Sequence, residues 1–179
     1  YALRLQQLVT AMEQSSVDAW LQPVNDEFQG EYTPDYAKRL EWMSGFSGSA
    51  GVALFLREKY EGKQAILFVD GRYTLQAAQQ VNTKDYLILN SADVSLSEWL
   101  KANHDALDTV GYDAWLHTHA FIKQLQSVVS SRESLLQAQD NLIDRIWKDQ
   151  PKPPAAAVYE WPMEFAGETS SDKIAKVAK

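Results

Sequence analysis

Cysteine is absent from the 179 residues of the chain. Without thiols, the protein has no disulfide framework, no thiolate nucleophile and no cysteine-ligated metal. No apolar run approaches the roughly 20 residues of a membrane-spanning helix, and the chain does not open on a basic and then apolar leader. These absences lead us to expect a cytoplasmic protein that does not associate with a membrane.

Positive charge is in short supply, with 17 Lys and Arg residues against 24 Asp and Glu residues and a net charge of −7. The basic residues are scattered along the chain, whereas binding to a nucleic-acid backbone requires a basic stripe. We therefore expect no nucleic-acid partner. Hydrophobic residues make up 45% of the chain, which is enough at this length to bury a core.

Histidine is also scarce, at three residues. His117 and His119 flank the start of a predicted helix, where we expect them to be solvated. No Asp or Glu cluster at ligand spacing accompanies them, and no serine lies in a recognisable arrangement with His and Asp. We therefore expect no catalytic residue and no metal or cofactor site in this chain.

Helix-like and strand-like apolar patterns alternate along the first 149 residues. Helices are predicted at residues 2–15, at 34–45 between a cap at Thr33 and Gly45, after Gly71, behind a cap at Ser95 or Ser97, at 121–129 and at 141–148. Strands are predicted at residues 18–21, 50–56, 64–69, 86–89, 110–112 and 135–138, of which the second and third form a hairpin. This order predicts an α/β fold with a mixed, largely parallel sheet flanked by helices.

The composition changes at Gln150. Three prolines at 151, 153 and 154 and then three alanines interrupt any regular element, so residues 150–168 are predicted to be a linker. Ser170 or Ser171 would then cap another amphipathic helix. We therefore divide the chain into a first domain at 1–149, the linker at 150–168 and the start of a second domain at 169–179.

Two short segments are candidate binding elements. Phe46 to Gly51 reads F-S-G-S-A-G, which fits neither a phosphate loop nor a nucleophile elbow, so a tight helix-to-strand connection is the favoured interpretation. Asp70 to Tyr73 reads D-G-R-Y and follows a predicted strand, where side chains face the ligand crevice of an open α/β sheet. Arg72 is a candidate for pairing with a substrate carboxylate, although a local contact with Asp70 is the simpler interpretation.

An ordered series of motifs runs through the chain. Its members are N-D-E-F-Q-G-E-Y at 25–32, K-R at 38–39, S-G-F-S-G-S-A-G at 44–51, D-G-R-Y at 70–73 with Q-A at 76–77, and N-L-I-D-R-I-W at 141–147, before the Pro-rich segment. Together these motifs resemble the first domain of the three-domain aminopeptidases P, in the creatinase/prolidase superfamily. The resemblance covers residues 2–179. It departs from many relatives at Phe28 and Gly30, where His and Ser are common, and in a longer hairpin turn at 58–62.

The resemblance implies a creatinase-type N-terminal fold and a parent enzyme that is a metal-dependent Xaa-Pro aminopeptidase, which removes an N-terminal residue preceding proline. This chain would be its non-catalytic N-terminal domain and would assist substrate binding or access to the catalytic cleft. Two divalent metal ions, manganese by the same resemblance, would be held by Asp, Asp, His, Glu and Glu in a catalytic domain outside residues 1–179.

The resemblance also implies a site residue and partners. Arg72 matches an arginine that lies near the cleft in such enzymes, so it is the predicted substrate-binding residue. The implied partners are a peptide with proline second, the second and catalytic domains of the same protein, and a second copy in a homodimer.

Two other functions stay open. Some histone-chaperone subunits carry a creatinase-like module that has lost its metal ligands, and the acidic charge of this chain would suit a basic partner. A creatinase or prolidase would use the same domain with another substrate. The sequence downstream of Lys179 distinguishes these alternatives, because only a peptidase encodes the metal ligands and only a three-domain enzyme encodes two further domains.

Overall fold

The computed structural model describes residues 1–129 and 135–178. Its strands are β1 (Ala19–Pro23), β2 (Gly51–Tyr60), β3 (Lys63–Val69), β4 (Tyr86–Asn90), β5 (Val110–Tyr112) and β6 (Leu136–Ala138). Its α-helices are α1 (Ala2–Gln14), α2 (Arg39–Ser44), α3 (Thr74–Gln80), α4 (Leu96–Asn103), α5 (His119–Val128), α6 (Leu142–Ile146), α7 (Met163–Ala166) and α8 (Ser170–Val177).

The strands form one mixed sheet in the order β4-β3-β2-β1-β5-β6. Strand β2 is antiparallel to its neighbours β1 and β3, and the other three pairings are parallel. Every strand except β2 therefore points the same way. This arrangement confirms the predicted mixed, largely parallel sheet, and it brings the carboxyl ends of β1, β3, β4, β5 and β6 to one end of the sheet.

Helices cover both faces of the sheet, and each face has its own buried core. On the first face, α1, α2, α3 and α6 pack through residues such as Leu8, Met43 and Ile143. On the second face, α4 and α5 pack through residues such as Leu100 and Leu125. This sandwich follows from the near-continuous apolar sequences of β2 and β3, whose side chains are buried on both sides.

The β2–β3 hairpin is tighter than the sequence suggested. Strand β2 continues to Tyr60, so the connection is the two residues Glu61 and Gly62, with φ angles of 49° and 77°. Two consecutive positive φ angles are typical of a two-residue hairpin turn whose twist matches that of the strands. The connection predicted at 58–62 is therefore too long, because its first residues belong to the strand.

The single helix predicted at 34–45 is also wrong. A 3₁₀ turn at Asp35–Ala37 precedes α2, and Lys38 separates the two at φ −72° and ψ 49°. The hydroxyl of Thr33 donates to the Val24 carbonyl at 3.3 Å and does not cap a helix. Gly45 ends α2 as predicted, in the left-handed conformation that glycine adopts without strain.

Residues 151–178 lie on the surface, all exposed except the half-buried Ala166. The short helix α7 falls inside the segment predicted to be a linker. Thr169 caps α8 by accepting from the Asp172 backbone N–H at 3.1 Å, so the caps predicted at Ser170 or Ser171 are wrong by one or two residues. Across 1–129 and 135–178, no helix combines the length and the apolar character needed to cross a membrane.

Candidate functional site

The loops that follow the same-direction strands gather at the carboxyl end of the sheet. They are residues 24–34 after β1, 70–73 after β3, 91–95 after β4, 113–118 after β5 and 139–141 after β6. Ligands of open α/β sheets bind outside the carboxyl ends of the strands. Cavities open among these loops, and two of them are lined by motifs found in the sequence.

The first of these, the motif cavity, has a volume of about 450 Å³. Its lining comes from the loop after β1, the start of α2, the connection before β2 and the segment that opens α3. Residues of motifs that are far apart in the sequence therefore share one site. They include Glu31, Tyr32, Lys38, Gly48, Tyr73 and Gln76.

The connection between α2 and β2 is packed tightly against α3. A Cβ atom at Gly48 would lie 2.3 Å from Cζ of Phe46 and 2.8 Å from Cδ1 of Tyr73, closer than real Cβ contacts allow. The rings of Phe46 and Tyr73 meet edge to face, with centroids 5.9 Å apart. Glycine at this position therefore lets the chain pass between two aromatic rings. The predicted tight helix-to-strand connection is confirmed.

Hydrogen bonds fix the same connection to α3. The hydroxyls of Ser49 and Tyr73 are 2.8 Å apart. The Ser47 hydroxyl accepts from the side-chain amides of Gln76 and Gln80 at 3.2 and 2.9 Å, and the Gln80 side-chain oxygen accepts from the Ser47 backbone N–H at 3.0 Å. The sequence interpretation missed this network, although the spacing of Gln76 and Gln80 on one helix face was a usable signal.

Arg72 precedes Tyr73, which lines the motif cavity, and its side chain is 72% exposed. Its Nε and its backbone N–H both donate to Oδ1 of Asp70 at 2.9 Å. These hydrogen bonds hold the pKa of Asp70 below its usual value. The guanidinium carbon is 5.5 Å from the centroid of the Tyr73 ring. Among the described residues, no side chain or carbonyl accepts from the two Nη groups of Arg72, so they face solvent.

The second cavity, which we call the switch crevice, has a volume of about 580 Å³. After β1 and after β3, the chain continues into helices on the first face. After β5, the neighbour of β1, and after β4, the neighbour of β3, it continues into helices on the second face. A crevice opens where adjacent strands lead to opposite faces. Its lining includes Asn25, Gln29, Phe68, Asp70, His117 and Phe121.

His117 is not the solvated residue that the sequence suggested. Its ring stacks on Phe121 at 5.4 Å and meets Tyr112 edge to face at 5.8 Å. Burial lowers the pKa of His117 to about 4, although a backbone hydrogen bond to Leu21 and the charge of Asp113 act in the opposite direction. The imidazole is therefore neutral at physiological pH. The helix cap is Thr118, and His119 is exposed.

The site has no metal centre in the part of the chain that the structure describes. No three His, Asp or Glu side chains there converge as ligands. The resemblance implies that its two divalent metals are held in a catalytic domain outside residues 1–179.

The sequence profile of the creatinase/prolidase N-terminal domain matches residues 4–146. The chain belongs to this family. Its curated relatives include a probable Xaa-Pro aminopeptidase P from Paracoccidioides brasiliensis, 36% identical over 98% of this chain, and aminopeptidase P1 from Lotus japonicus, 34% identical over 91%. The chain spans 28% and 24% of these two proteins, about a quarter of their length.

Solved structures support the creatinase-type fold. The X-prolyl aminopeptidase of Caenorhabditis elegans, described as a cytosolic enzyme with a di-nuclear active site, superposes with a TM-score of 0.83 at 24% identity, over 98% of this chain and 30% of that one. The N-terminal domain of the cytoplasmic peptidase PepQ from Mycobacterium tuberculosis superposes with a TM-score of 0.60 at 22% identity, over 80% of this chain and 98% of that one. The fold and the family resemblance are therefore both confirmed.

Proposed function

We propose that this creatinase-type domain is the non-catalytic N-terminal domain of a metal-dependent Xaa-Pro aminopeptidase. The observation that carries the proposal is the similarity to proteins named aminopeptidase P over almost the whole chain, at 36% identity for the Paracoccidioides relative. The convergence of the sequence motifs on one cavity at the carboxyl end of the sheet gives this domain a surface on which to act.

In this proposal the chemistry belongs to other parts of the protein. Residues 1–149 are the first domain, 150–168 connect it to the next, and 169–179 begin a second domain. A catalytic domain further downstream holds two divalent metal ions, manganese in our proposal, and the enzyme works in the cytoplasm. The description of the worm relative as cytosolic and di-nuclear supports this assignment.

Arg72 is the residue through which we propose that this domain helps to bind substrate. A peptide held for cleavage after its first residue presents backbone carbonyls and a carboxylate on its downstream side. Arg72 offers exposed Nη donors, while Asp70 and the Tyr73 ring restrain its guanidinium. A guanidinium stays charged at any physiological pH and fits a carboxylate with two parallel bonds.

Substitution of Arg72 in the full-length enzyme tests this role. We expect Arg72→Ala to lower kcat/KM for an X-Pro peptide by about ten- to hundredfold, because a charge-assisted hydrogen bond is lost. The melting temperature should stay nearly unchanged, because the side chain is exposed. Arg72→Lys, which keeps the charge but not the two parallel donors of the guanidinium, should lower kcat/KM less than Arg72→Ala.

Arg57 provides a matched control. Its guanidinium also pairs with a carboxylate, that of Asp18, but at the other end of the sheet. Arg57→Ala should leave X-Pro kinetics unchanged. If Arg72→Ala is folded and fully active, or if both alanine variants lose activity equally, Arg72 is not a substrate contact. Separately, chelator-sensitive cleavage of an X-Pro peptide by the purified chain 1–179 would contradict a non-catalytic domain.

A further inference from the structure

Tyr73 contacts both Arg72 and the connection between α2 and β2. The guanidinium carbon of Arg72 is 5.5 Å from the centroid of the Tyr73 ring, a distance at which an aromatic ring attracts a cation. The same ring meets that of Phe46 edge to face, with centroids 5.9 Å apart, and its hydroxyl is 2.8 Å from the hydroxyl of Ser49. Tyr73 therefore links the proposed substrate contact to the F-S-G-S-A-G segment.

The surroundings of the Tyr73 ring fix its orientation. The ring is half-buried, and the backbone at Gly48 approaches so closely that a Cβ atom there would lie 2.8 Å from Cδ1 of Tyr73. The hydrogen bond with Ser49 holds the far end of the ring. Because closely packed side chains keep a single rotamer, the ring offers Arg72 a fixed surface.

Arg72 has few other restraints. Its side chain is 72% exposed. Asp70 accepts from Nε at 2.9 Å, which holds one of the three guanidinium nitrogens. A long side chain loses rotamer freedom when it binds a ligand, and a side chain that is already restrained loses less. A fixed ring beside the guanidinium therefore increases the affinity of Arg72 for a substrate group.

We propose that Tyr73 is a positioning residue for Arg72, and that Ser49 acts through Tyr73 by holding its hydroxyl. Neither residue touches the substrate in this role. The inference rests on the proposed substrate contact of Arg72, and it gives the F-S-G-S-A-G segment a role in substrate binding beyond that of a tight connection. If the ring served only to pack α3 against that connection, its loss would lower stability without acting specifically through Arg72.

Kinetics of the full-length enzyme with an X-Pro peptide test the positioning role. We expect Tyr73→Leu to lower kcat/KM by about two- to fivefold, the change that corresponds to a cation–π contact at an exposed site. The change should fall on KM with kcat nearly unchanged, because Arg72 would hold a part of the substrate that does not react. Ser49→Ala and Tyr73→Phe, which both remove the contact between the hydroxyls, should each lower kcat/KM by a smaller and similar factor.

The same substitution in an Arg72→Ala background separates positioning from packing. There Tyr73→Leu should have no further effect on kcat/KM, because the side chain that it positions is gone. A ring with a purely structural role would lower kcat/KM by the same factor in both backgrounds. Tyr60→Leu is a matched control, since the Tyr60 ring also meets an aromatic ring edge to face, that of Trp99 at 5.2 Å, but at the other end of the sheet. It should leave kcat/KM unchanged.

NMR spectroscopy of the isotope-labelled chain 1–179 follows Arg72 without any substrate. The Nε–H resonance of Arg72 is assigned by its absence in Arg72→Ala. Its heteronuclear NOE should fall in Ser49→Ala, which reports greater mobility on the picosecond-to-nanosecond timescale, although the hydroxyl of Ser49 contacts Tyr73 and not Arg72. Tyr60→Leu should leave this NOE unchanged.

Two results would overturn the positioning role alone. One is full kcat/KM in a folded Tyr73→Leu variant while Arg72→Ala loses activity, and the other is an equal loss from Tyr73→Leu with and without Arg72. An unchanged heteronuclear NOE in Ser49→Ala would exclude the role of Ser49. If Tyr73→Leu does not fold, Tyr73→Phe is compared in the same two backgrounds, with the same outcomes. Full activity of Arg72→Ala itself would instead refute the proposed substrate contact, and the positioning role would fail with it.

Discussion

Arg39, which is 7% exposed, is a buried charged residue that connects two helices of the first domain. Its Nε and Nη2 donate to the two carboxylate oxygens of Asp144 at 2.7 and 2.8 Å, which joins α2 to α6. Burial acts to lower the pKa of Arg39, but the hydrogen bonds to Asp144 and the charges of Asp144, Asp113 and Glu27 together outweigh it, so the pKa is raised. Gln150 extends the cluster by donating to Oδ1 of Asp144 and to the Tyr36 carbonyl.

Lys38 and Arg39 are adjacent in sequence, but their ion pairs differ in exposure to solvent. The Lys38–Asp35 pair is on the surface, with side chains 39% and 79% exposed, whereas the Arg39 side chain is 9% exposed. We expect Arg39→Met to lower the free energy of unfolding by about 3 kcal/mol, because it leaves Asp144 without its buried partner. Lys38→Ala should change it by about 1 kcal/mol or less. Urea denaturation of both variants measures the difference.

Equal effects of the two substitutions would contradict this view of Arg39. The pair of variants separates burial from charge, since both remove one positive charge from neighbouring positions. Such a contrast was not predictable from the sequence, where Lys38-Arg39 is simply a basic pair within a motif. The partner Asp144 lies more than a hundred residues away, so only the tertiary structure shows which of the two basic residues is buried.

At the scale of elements, α4 is a short helix whose first turn is stabilised by side-chain hydrogen bonds. Ser95 accepts from the Glu98 backbone N–H at 3.2 Å, and the Glu98 carboxylate accepts from the Ser95 backbone N–H at 2.8 Å. This capping box also holds the pKa of Glu98 below its usual value, through its hydrogen bonds with Ser95. The sequence allowed either Ser95 or Ser97 as the cap, and the structure selects Ser95.

The two serines of α4 make the cap testable. Ser95→Ala should lower the free energy of unfolding by about 1 kcal/mol, because the Glu98 backbone N–H loses the hydroxyl that accepts from it. Ser97→Ala lies inside the helix, where alanine is favourable, and should change it by no more than about 0.5 kcal/mol. Thermal or urea denaturation measures both. If Ser97→Ala lowers the free energy of unfolding more than Ser95→Ala does, Ser95 is not the cap of α4.

Most elements were predictable because the spacing of their apolar residues and the residues at their ends indicate the same helix or strand. Val110–Tyr112 occurs as predicted, and Gly45 ends α2 as predicted. The helix predicted at 34–45 failed because contacts with the loop after β1 override its local preference. Thr33 is a good helix cap by composition, yet its hydroxyl bonds the Val24 carbonyl. The hydroxyl of Tyr36, in the same interrupted helix, donates to Glu27 at 2.6 Å and thereby ties the segment to the loop after β1.

The candidate site was predictable as a set of motifs but not as a cavity. The sequence marked Gly48 and Tyr73 as members of two segments, and the contact between their elements depends on how α3 packs against the connection before β2. The burial of His117 was missed for the same reason. Its aromatic neighbours Tyr112 and Phe121 are close in sequence, but strand and helix geometry decide that the three rings meet.

At the scale of the whole molecule, the first domain and the segment after it differ sharply in packing. Residues 151–178 are exposed, and several large apolar side chains there point to solvent. They include Val158, Tyr159, Trp161, Phe165, Ile174 and Val177. A flexible linker is normally polar, so this composition favours our proposal that the segment leads into a second domain of the full-length protein.

Truncation tests where the first domain ends. A chain that stops at Gln150 should unfold in urea with the same free energy as chain 1–179, within about 0.5 kcal/mol, because the removed residues are exposed. A chain that stops at Asp140 should not fold. It lacks Leu142, Ile143 and Trp147, which are 1%, 0% and 7% exposed and contribute about 1.5–3 kcal/mol each, a large part of the stability of a typical domain.

The opposite pattern of stabilities would move the domain boundary. If the chain ending at Gln150 is much less stable than chain 1–179, then residues 151–178 belong to the first domain. If the chain ending at Asp140 folds with full stability, then α6 is dispensable and the boundary lies earlier. Either outcome would contradict the division at residues 149 and 150.

The reversed direction of β2 also has a consequence for the order in which the sheet is completed during protein synthesis. Strands β1, β2 and β3 are consecutive, pair as antiparallel neighbours and are all present once residue 69 has left the ribosome. The other side of β1 must wait for β5, since Ala19 pairs with Val110. Closing so long a loop is entropically costly. The nascent chain therefore exposes one flank of β1 until more than half of the domain has been made.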